Sequence, residues 1–99
     1  MTIEETRKHY RVKAAVRGVP EHTIGGLVRY IVDGIPPGDF LQAVLTNDLM
    51  GAFGRADEEN GLCLRHICSF LYNDAPAVCF GSEEKMVAWM SAIAAEKKA

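Results

Sequence analysis

Apolar residues recur along this chain at helical rather than alternating spacing almost everywhere. The clearest segment is Glu21 to Asp33, where Ile24, Leu27, Val28, Ile31 and Val32 fall at i, i+3, i+4, i+7 and i+8 and form one stripe of an amphipathic helix. Pro20 suits its first turn and Gly34 its C-terminal cap. Ile3 to Arg17 is predicted helical as well, with Glu4 and Glu5 where the helix dipole favours acid and Gly18 at its end. Gly34-Ile35-Pro36-Pro37-Gly38 then forbids continuation and makes a sharp corner. From it the second proline or Asp39 opens a helix with Phe40, Leu41, Val44 and Leu45 as its core face.

The middle of the chain is more broken. Thr46-Asn47-Asp48 reads as a capping cluster inside a helical pattern, a pause before Leu49, Met50 and Phe53 resume the core face. Gly51 and Gly54 are each unfavourable inside that helix, which predicts a close helix crossing or a second break near Arg55. Asp57 is placed to cap a fresh helix. In it Leu62, Cys63, Leu64, Ile67, Cys68, Phe70 and Leu71 give so wide an apolar face that it is expected to be the central, most enclosed one, ending at Asn73-Asp74-Ala75-Pro76. Ser82, with Glu83 and Glu84 behind it, starts the last helix, whose buried stripe is Met86, Val87, Trp89, Met90 and Ile93 and whose end carries Lys97 and Lys98. Ala77-Val78-Cys79-Phe80 reads as a short strand or an apolar strap, with no partner strand in view. The pattern predicts an all-α, compact bundle of four to six helices in one domain spanning 1–99. The basic helix of residues 1–18 is either peripheral or at a protomer interface.

Composition agrees with a single domain: 99 residues, 48% hydrophobic and 24% charged. A chain of this length buries roughly 65% of its unfolded surface, enough for one modest core. Apolar runs fall far below the ~18 residues of a membrane span, and Met1-Thr2-Ile3-Glu4-Glu5 has no apolar signal region, so the expected location is cytoplasmic. A net charge of −2 argues against a general polyanion binder. Cys63, Cys68 and Cys79 fit neither a Cys-x-x-Cys pair nor an even disulfide framework, and they read as reduced, small buried hydrophobes. A zinc site would have to recruit His66 or His22 across the fold, so neither metal nor cofactor is expected.

Charge is unevenly placed. Arg7, Lys8, Arg11, Lys13 and Arg17 gather with His9 on the first helix, whereas Asp33, Asp39, Asp48, Asp57, Glu58 and Glu59 face only Arg55 in the middle. Arg7 and Arg11, one turn apart, suit a phosphate, with Tyr10 available to stack on a base. The alternative is that this helix docks on the acidic middle of its own chain or a neighbour's, or is simply solvated. His22, Thr23, Gly25 and Gly26 lie in the first turns of the second helix, where free N–H groups and bare glycines suit an anion or, alternatively, the close packing of another helix. Asn47, Asp48, Arg55, Asp57 and Asn60 form either a satisfied polar network or a patch facing a ligand, with Arg55 in reach of Asp57 or Glu59. The three histidines lack the context of a nucleophile–base pair, and the adjacent acids Glu58-Glu59 and Glu83-Glu84 point apart on a helix, so no enzyme is expected. DNA reading is disfavoured too, since the segment from Asp39 to Leu45 carries no Arg or Lys.

The stretch from Leu27 to Leu41 through Gly34-Ile35-Pro36-Pro37-Gly38-Asp39, then Ala43 to Leu49, Arg55-Ala56-Asp57, Leu71-Tyr72-Asn73 and Gly81-Ser82 resembles a group of small accessory proteins of tailed bacteriophages. The resemblance covers about residues 22 to 90. It implies a phage origin and action in a bacterial cytoplasm, and it carries over no catalytic residue. By analogy with such proteins, the expected activity is binding that antagonises host immunity. The leading form is sequestration of a nucleotide second messenger at a protomer interface of a homo-oligomer, by Arg7, Tyr10, Arg11, His22, Thr23, Gly25, Gly26 and Arg55. The alternative is a protein–protein inhibitor or assembly factor that docks on a host defence protein or phage protein through the acidic middle or the Ala77–Phe80 strap.

Overall fold

A computed structural model describes residues 1–98. Among them the chain forms α1 (Ile3–Arg17), α2 (Glu21–Asp33), α3 (Asp39–Leu45), α4 (Leu49–Arg55), α5 (Glu58–Leu62), α6 (Leu64–Asp74) and α7 (Glu83–Lys98), with one 3-10 turn at Ala77–Cys79 and no strand. The fold is the expected all-α bundle. Its middle is divided more finely than four to six helices because Asp48 and Asp57 each start a helix, accepting the N–H of Gly51 at 3.0 Å and of Asn60 at 2.7 Å. α1 begins with a reciprocal cap. Thr2 Oγ1 accepts the Glu5 N–H at 3.1 Å, and Glu5 Oε1 accepts the Thr2 N–H at 3.0 Å. Pro20 is the N-cap of α2 itself, and Ser82 caps α7 by accepting the Lys85 N–H at 3.1 Å.

The enclosed helix is α2, not the segment around α6. Thr23, Ile24, Leu27, Val28, Tyr30 and Ile31 are all buried, whereas α6 buries Ile67, Phe70 and Leu71 and leaves Cys68 exposed. Leu62, predicted to join that buried face, is 79% exposed on α5. Apolar count overstated α6 because its cysteines and leucines lie on more than one side. Two hydrogen bonds lock the C-terminal third onto α2: the Tyr30 hydroxyl donates to the Cys79 carbonyl at 2.6 Å, and Trp89 Nε1 donates to the Ile31 carbonyl at 3.1 Å. Burial pushes the Tyr30 phenol well above its ordinary range and the Cys79 thiol up to about 12, so both stay neutral. Ala77–Cys79, read as strand or strap, is a 3-10 turn that points Cys79 inward and leaves Val78 exposed. In α7, Met86 is buried and Trp89, Met90 and Ile93 half-buried, but Val87 faces out.

Gly34 ends α2 in the left-handed region at φ 69°, and a Cβ there would lie 3.0 Å from Ile93 Cβ of α7. Three substitutions separate these effects in urea unfolding. Gly34→Ala is expected to lose about 2 kcal/mol from backbone strain, before any clash. Tyr30→Phe is expected to lose about 1 kcal/mol, with the Cys79 carbonyl left unpaired. Gly54→Ala, whose Cβ would meet nothing within 4 Å, is expected to gain about 0.5 kcal/mol.

Candidate functional site

The predicted site residues separate into three places. The first is the C-terminal end of α2. There Arg7 of α1 grips the Asp33 carboxylate with both guanidinium arms, Nη1 on Oδ2 and Nη2 on Oδ1 at 2.8 Å, while Lys97 Nζ of α7 stands 3.3 Å from Oδ1. A carboxylate at a helix C-terminus opposes the dipole, and two cations offset it. The Arg7 bond, then Lys97, holds the Asp33 carboxyl below the usual range. Arg17 does the same for Asp74 of α6, with Nε at 2.8 Å. Arg7 is thus committed to its own fold. Arg11 is exposed and forms no ion pair with a described residue. Tyr10 is half-buried, edge-on to Phe70 with ring centroids 6.4 Å apart. Its other side lines an open groove of about 410 Å³ between α1 and α7, with Ile3, Thr6, Val32, Trp89 and Ile93.

The second place is the junction of α2 with α5. His22 Nε2 lies 2.8 Å from Asp57 Oδ2 and Nδ1 lies 3.1 Å from Glu59 Oε1, so both ring nitrogens face carboxylates of the chain itself. Below it, the buried Thr23 hydroxyl donates to Asn60 Oδ1 at 2.5 Å. The Asn60 N–H, followed by His22, holds the Asp57 carboxyl below its ordinary range. The amides proposed for an anion are largely occupied: Thr23 N–H and Ile24 N–H donate to the Pro20 carbonyl at 2.9 and 3.2 Å. Space over the glycines is occupied as well, by Arg29 Nη1 at 3.0 Å from a Gly25 Cβ position and by Leu41 Cδ1 at 3.2 Å from that of Gly26. Another helix packs over Gly26 alone, through Leu41 of α3, while Gly25 is covered by Arg29 of α2 itself.

The third place is Arg55, which pairs at 3.7 Å with Asp48 rather than with Asp57 or Glu59. It borders a cleft of about 310 Å³ that also holds Asp39 and Glu83, a setting that repels anions. The polar insertion is therefore two structures: Asp48 with Arg55, and His22–Asp57–Asn60–Thr23. Among the described residues no group of three or more His, Cys, Asp or Glu side chains is arranged to hold a metal, and no helix is long and apolar enough to cross a membrane.

What the sequence pattern misplaced is the apolar surface. Leu49, Met50 and Phe53 of α4, expected in the core, are 65%, 76% and 67% exposed. The residue that α4 buries is Ala52, and α4 packs on α3. A seven-residue helix lies close against its neighbour through its small side chains, so its large ones turn outward. Gly51 is bare for a different reason, since a Cβ there would meet the Asp48 cap and Arg55 rather than α3. Asp48, Asp57, Glu58 and Glu59, all exposed, give α4 and α5 an acidic margin. No protein-family model, curated protein or solved structure matches this chain.

Acid titration tests the Asp33 clamp. Its carboxyl is depressed in the folded state, so its stabilisation is complete above the ordinary value of 3.8 and is lost as pH falls through the lower folded value. Asp33→Asn is expected to melt several degrees lower at pH 7, with the gap to wild type closing as the pH drops below 3.8. A constant gap down to pH 2 in thermal melts would show that the charge is not what acts.

Proposed function

We propose that this chain is a non-catalytic binding protein that docks on another protein through the acidic, apolar surface of α4 and α5. The setting is the one that the resemblance of residues 22 to 90 implies, a phage accessory protein acting against a host defence component. The observation that carries this reading is the exposure of Leu49, Met50, Phe53 and Leu62, between 65% and 79%, on two consecutive short helices. Leu49, Met50 and Phe53 share one side of α4 by their spacing, bare apolar side chains that lie together mark interaction sites more often than scattered ones do, and Met and aromatic residues are enriched where interfaces hold their energy. Glu58, which pairs with no described residue, and the exposed pairs Asp48–Arg55 and His22 with Asp57 and Glu59 would fix a partner's orientation. His22, with both nitrogens facing carboxylates, supports a binding role over catalysis.

One observation favours a second reading. The groove between α1 and α7, with Tyr10 and Trp89 in its walls, has the size and aromatic lining of a small-ligand site. It suits sequestration of a nucleotide-like ligand. The engagement of Arg7 by Asp33 weighs against it, because a phosphate would have to displace a carboxylate already held by two arms.

Affinity capture from host lysate, run beside calorimetric titration, separates the two. Wild type and Tyr10→Ala are expected to retain the same stoichiometric partner while Met50→Asp and Phe53→Asp lose it, and cyclic dinucleotides, cyclic trinucleotides and ADP-ribose derivatives are expected to give no heat. A nucleotide that binds wild type and is weakened by Tyr10→Ala or Arg11→Ala, with α4 substitutions silent, establishes sequestration instead.

A further inference from the structure

α1 packs on α2 and α6, and α7 packs on α2 and the 3-10 turn, so these two helices flank α2 without closing over it. The groove of about 410 Å³ left between them has Ile31 and Val32 of α2 in its lining, with Tyr10 on the α1 side and Trp89 and Ile93 on the α7 side. Both sides are fastened to one carboxylate. Arg7 of α1 and Lys97 of α7 hold Asp33 at 2.8 and 3.3 Å, and the Trp89 Nε1 bond to the Ile31 carbonyl adds a third tie at 3.1 Å. A cleft tied in this way exists before a ligand arrives, which lowers the ordering cost of binding, and its volume falls in the range of small-molecule sites, roughly 300–1,000 Å³.

The polar groups of the lining state what fits. Most are spent inside the chain: Thr6 Oγ1 donates to the Thr2 carbonyl at 2.9 Å, Trp89 Nε1 to Ile31, and Lys97 Nζ to Asp33. The Tyr10 hydroxyl bonds to no described residue, and since no buried side-chain polar atom lacks a partner, its oxygen is accessible. The exposed Glu96 carboxylate at the rim likewise forms no ion pair with a described residue. An anion entering the groove meets Glu96, while Lys97, the one cation of the described lining, is already engaged. An ammonium group meets Lys97, with Arg7 behind it on the same carboxylate. Neither sign of charge is received, whereas flat apolar surface is, between Tyr10 and Trp89. We infer that the groove between α1 and α7 is a binding site for an uncharged, flat aromatic molecule that hydrogen-bonds the Tyr10 hydroxyl. This goes beyond the docking reading, which concerns α4 and α5, and it puts an uncharged ligand where a nucleotide would bring a phosphate.

Two dyes test this on the full chain. N-phenylnaphthylamine is uncharged, and anilinonaphthalene sulfonate is the same pair of rings with one negative group added. Trp89 is the only tryptophan of the chain, so energy transfer from it to a bound dye reports binding. The uncharged dye is expected to bind wild type one to one, on the order of tenfold or more tighter than the sulfonate. Tyr10→Phe keeps the ring and is expected to weaken the uncharged dye about fivefold, as its N–H loses an acceptor. Ile3→Glu, at an exposed lining position where the start of α1 accepts an acid, is expected to weaken it as well. Glu96→Lys is expected to strengthen the sulfonate several-fold and leave the uncharged dye unchanged. Phe53→Asp is expected to change neither, and circular dichroism checks that every variant keeps its helices. Wild type that does not bind the uncharged dye overturns the inference. So does a sulfonate that binds wild type as tightly, a Glu96→Lys variant that leaves the sulfonate where it was, or binding that is lost on Phe53→Asp and kept on Tyr10→Phe and Ile3→Glu. The docking reading fails separately, by the capture experiment on α4.

Discussion

Burial of α2 is the constraint on which the rest of the structure depends. Its buried side chains fill the centre, each large aliphatic one contributing about 1.5–3 kcal/mol when removed from water, and the helix touches nearly every other element by a specific contact. His22 and Thr23 reach α5, Gly26 lies under Leu41 of α3, Tyr30 bonds the 3-10 turn, Ile31 receives Trp89 of α7, and Asp33 takes Arg7 of α1 and Lys97 of α7. Even so the helix keeps one open strip, where Glu21, His22 and Arg29 are exposed and Gly25 is half-buried between them.

The same enclosure divides the charge of α1. Facing α2 and α6, Arg7 and Arg17 meet carboxylates and act as fasteners; facing away, Lys8, Arg11 and Lys13 remain in water. The sequence pattern had grouped Arg7 and Arg11, with Lys8 beside them, as one phosphate-binding face. Arg7 and Arg11 lie only about 40° apart around the helix, so what divides them is reach: Asp33 stands within reach of Arg7, and Arg11 pairs with no described carboxylate. Tyr10 lies on the boundary, with one ring edge against Phe70 and its other side in the α1–α7 groove.

Helix starts and stops were legible wherever a single residue type decides them. Gly18 and Gly34 adopt the left-handed conformation that only glycine takes without strain, and Asp48, Asp57 and Ser82 each accept an N–H of the first turn. Periodicity identified which residues share a side but not which side is covered. For the long, strongly striped α2 the two questions have one answer. For α4 they do not, because Ala52, not Phe53, is what fits against α3. The contacts that define the site were invisible for another reason: Arg7 with Asp33, His22 with Asp57 and Thr23 with Asn60 join residues far apart in the chain, and composition shows only that opposite charges exist.

α4 contains the tension that points outward. Seven residues with two glycines are far too few to hold a helix in water alone, and the helix buries only Ala52 in return for being ordered. The Asp48 cap and the contact with α3 keep it formed, while Leu49, Met50 and Phe53 contribute little to the fold that displays them. Residues that serve stability would be turned inward at such a place, as Leu41 and Leu45 are one helix earlier. Apolar side chains fixed on a rigid frame outside the core reduce the entropy lost when a partner covers them. What lies beneath α4 does not account for their arrangement.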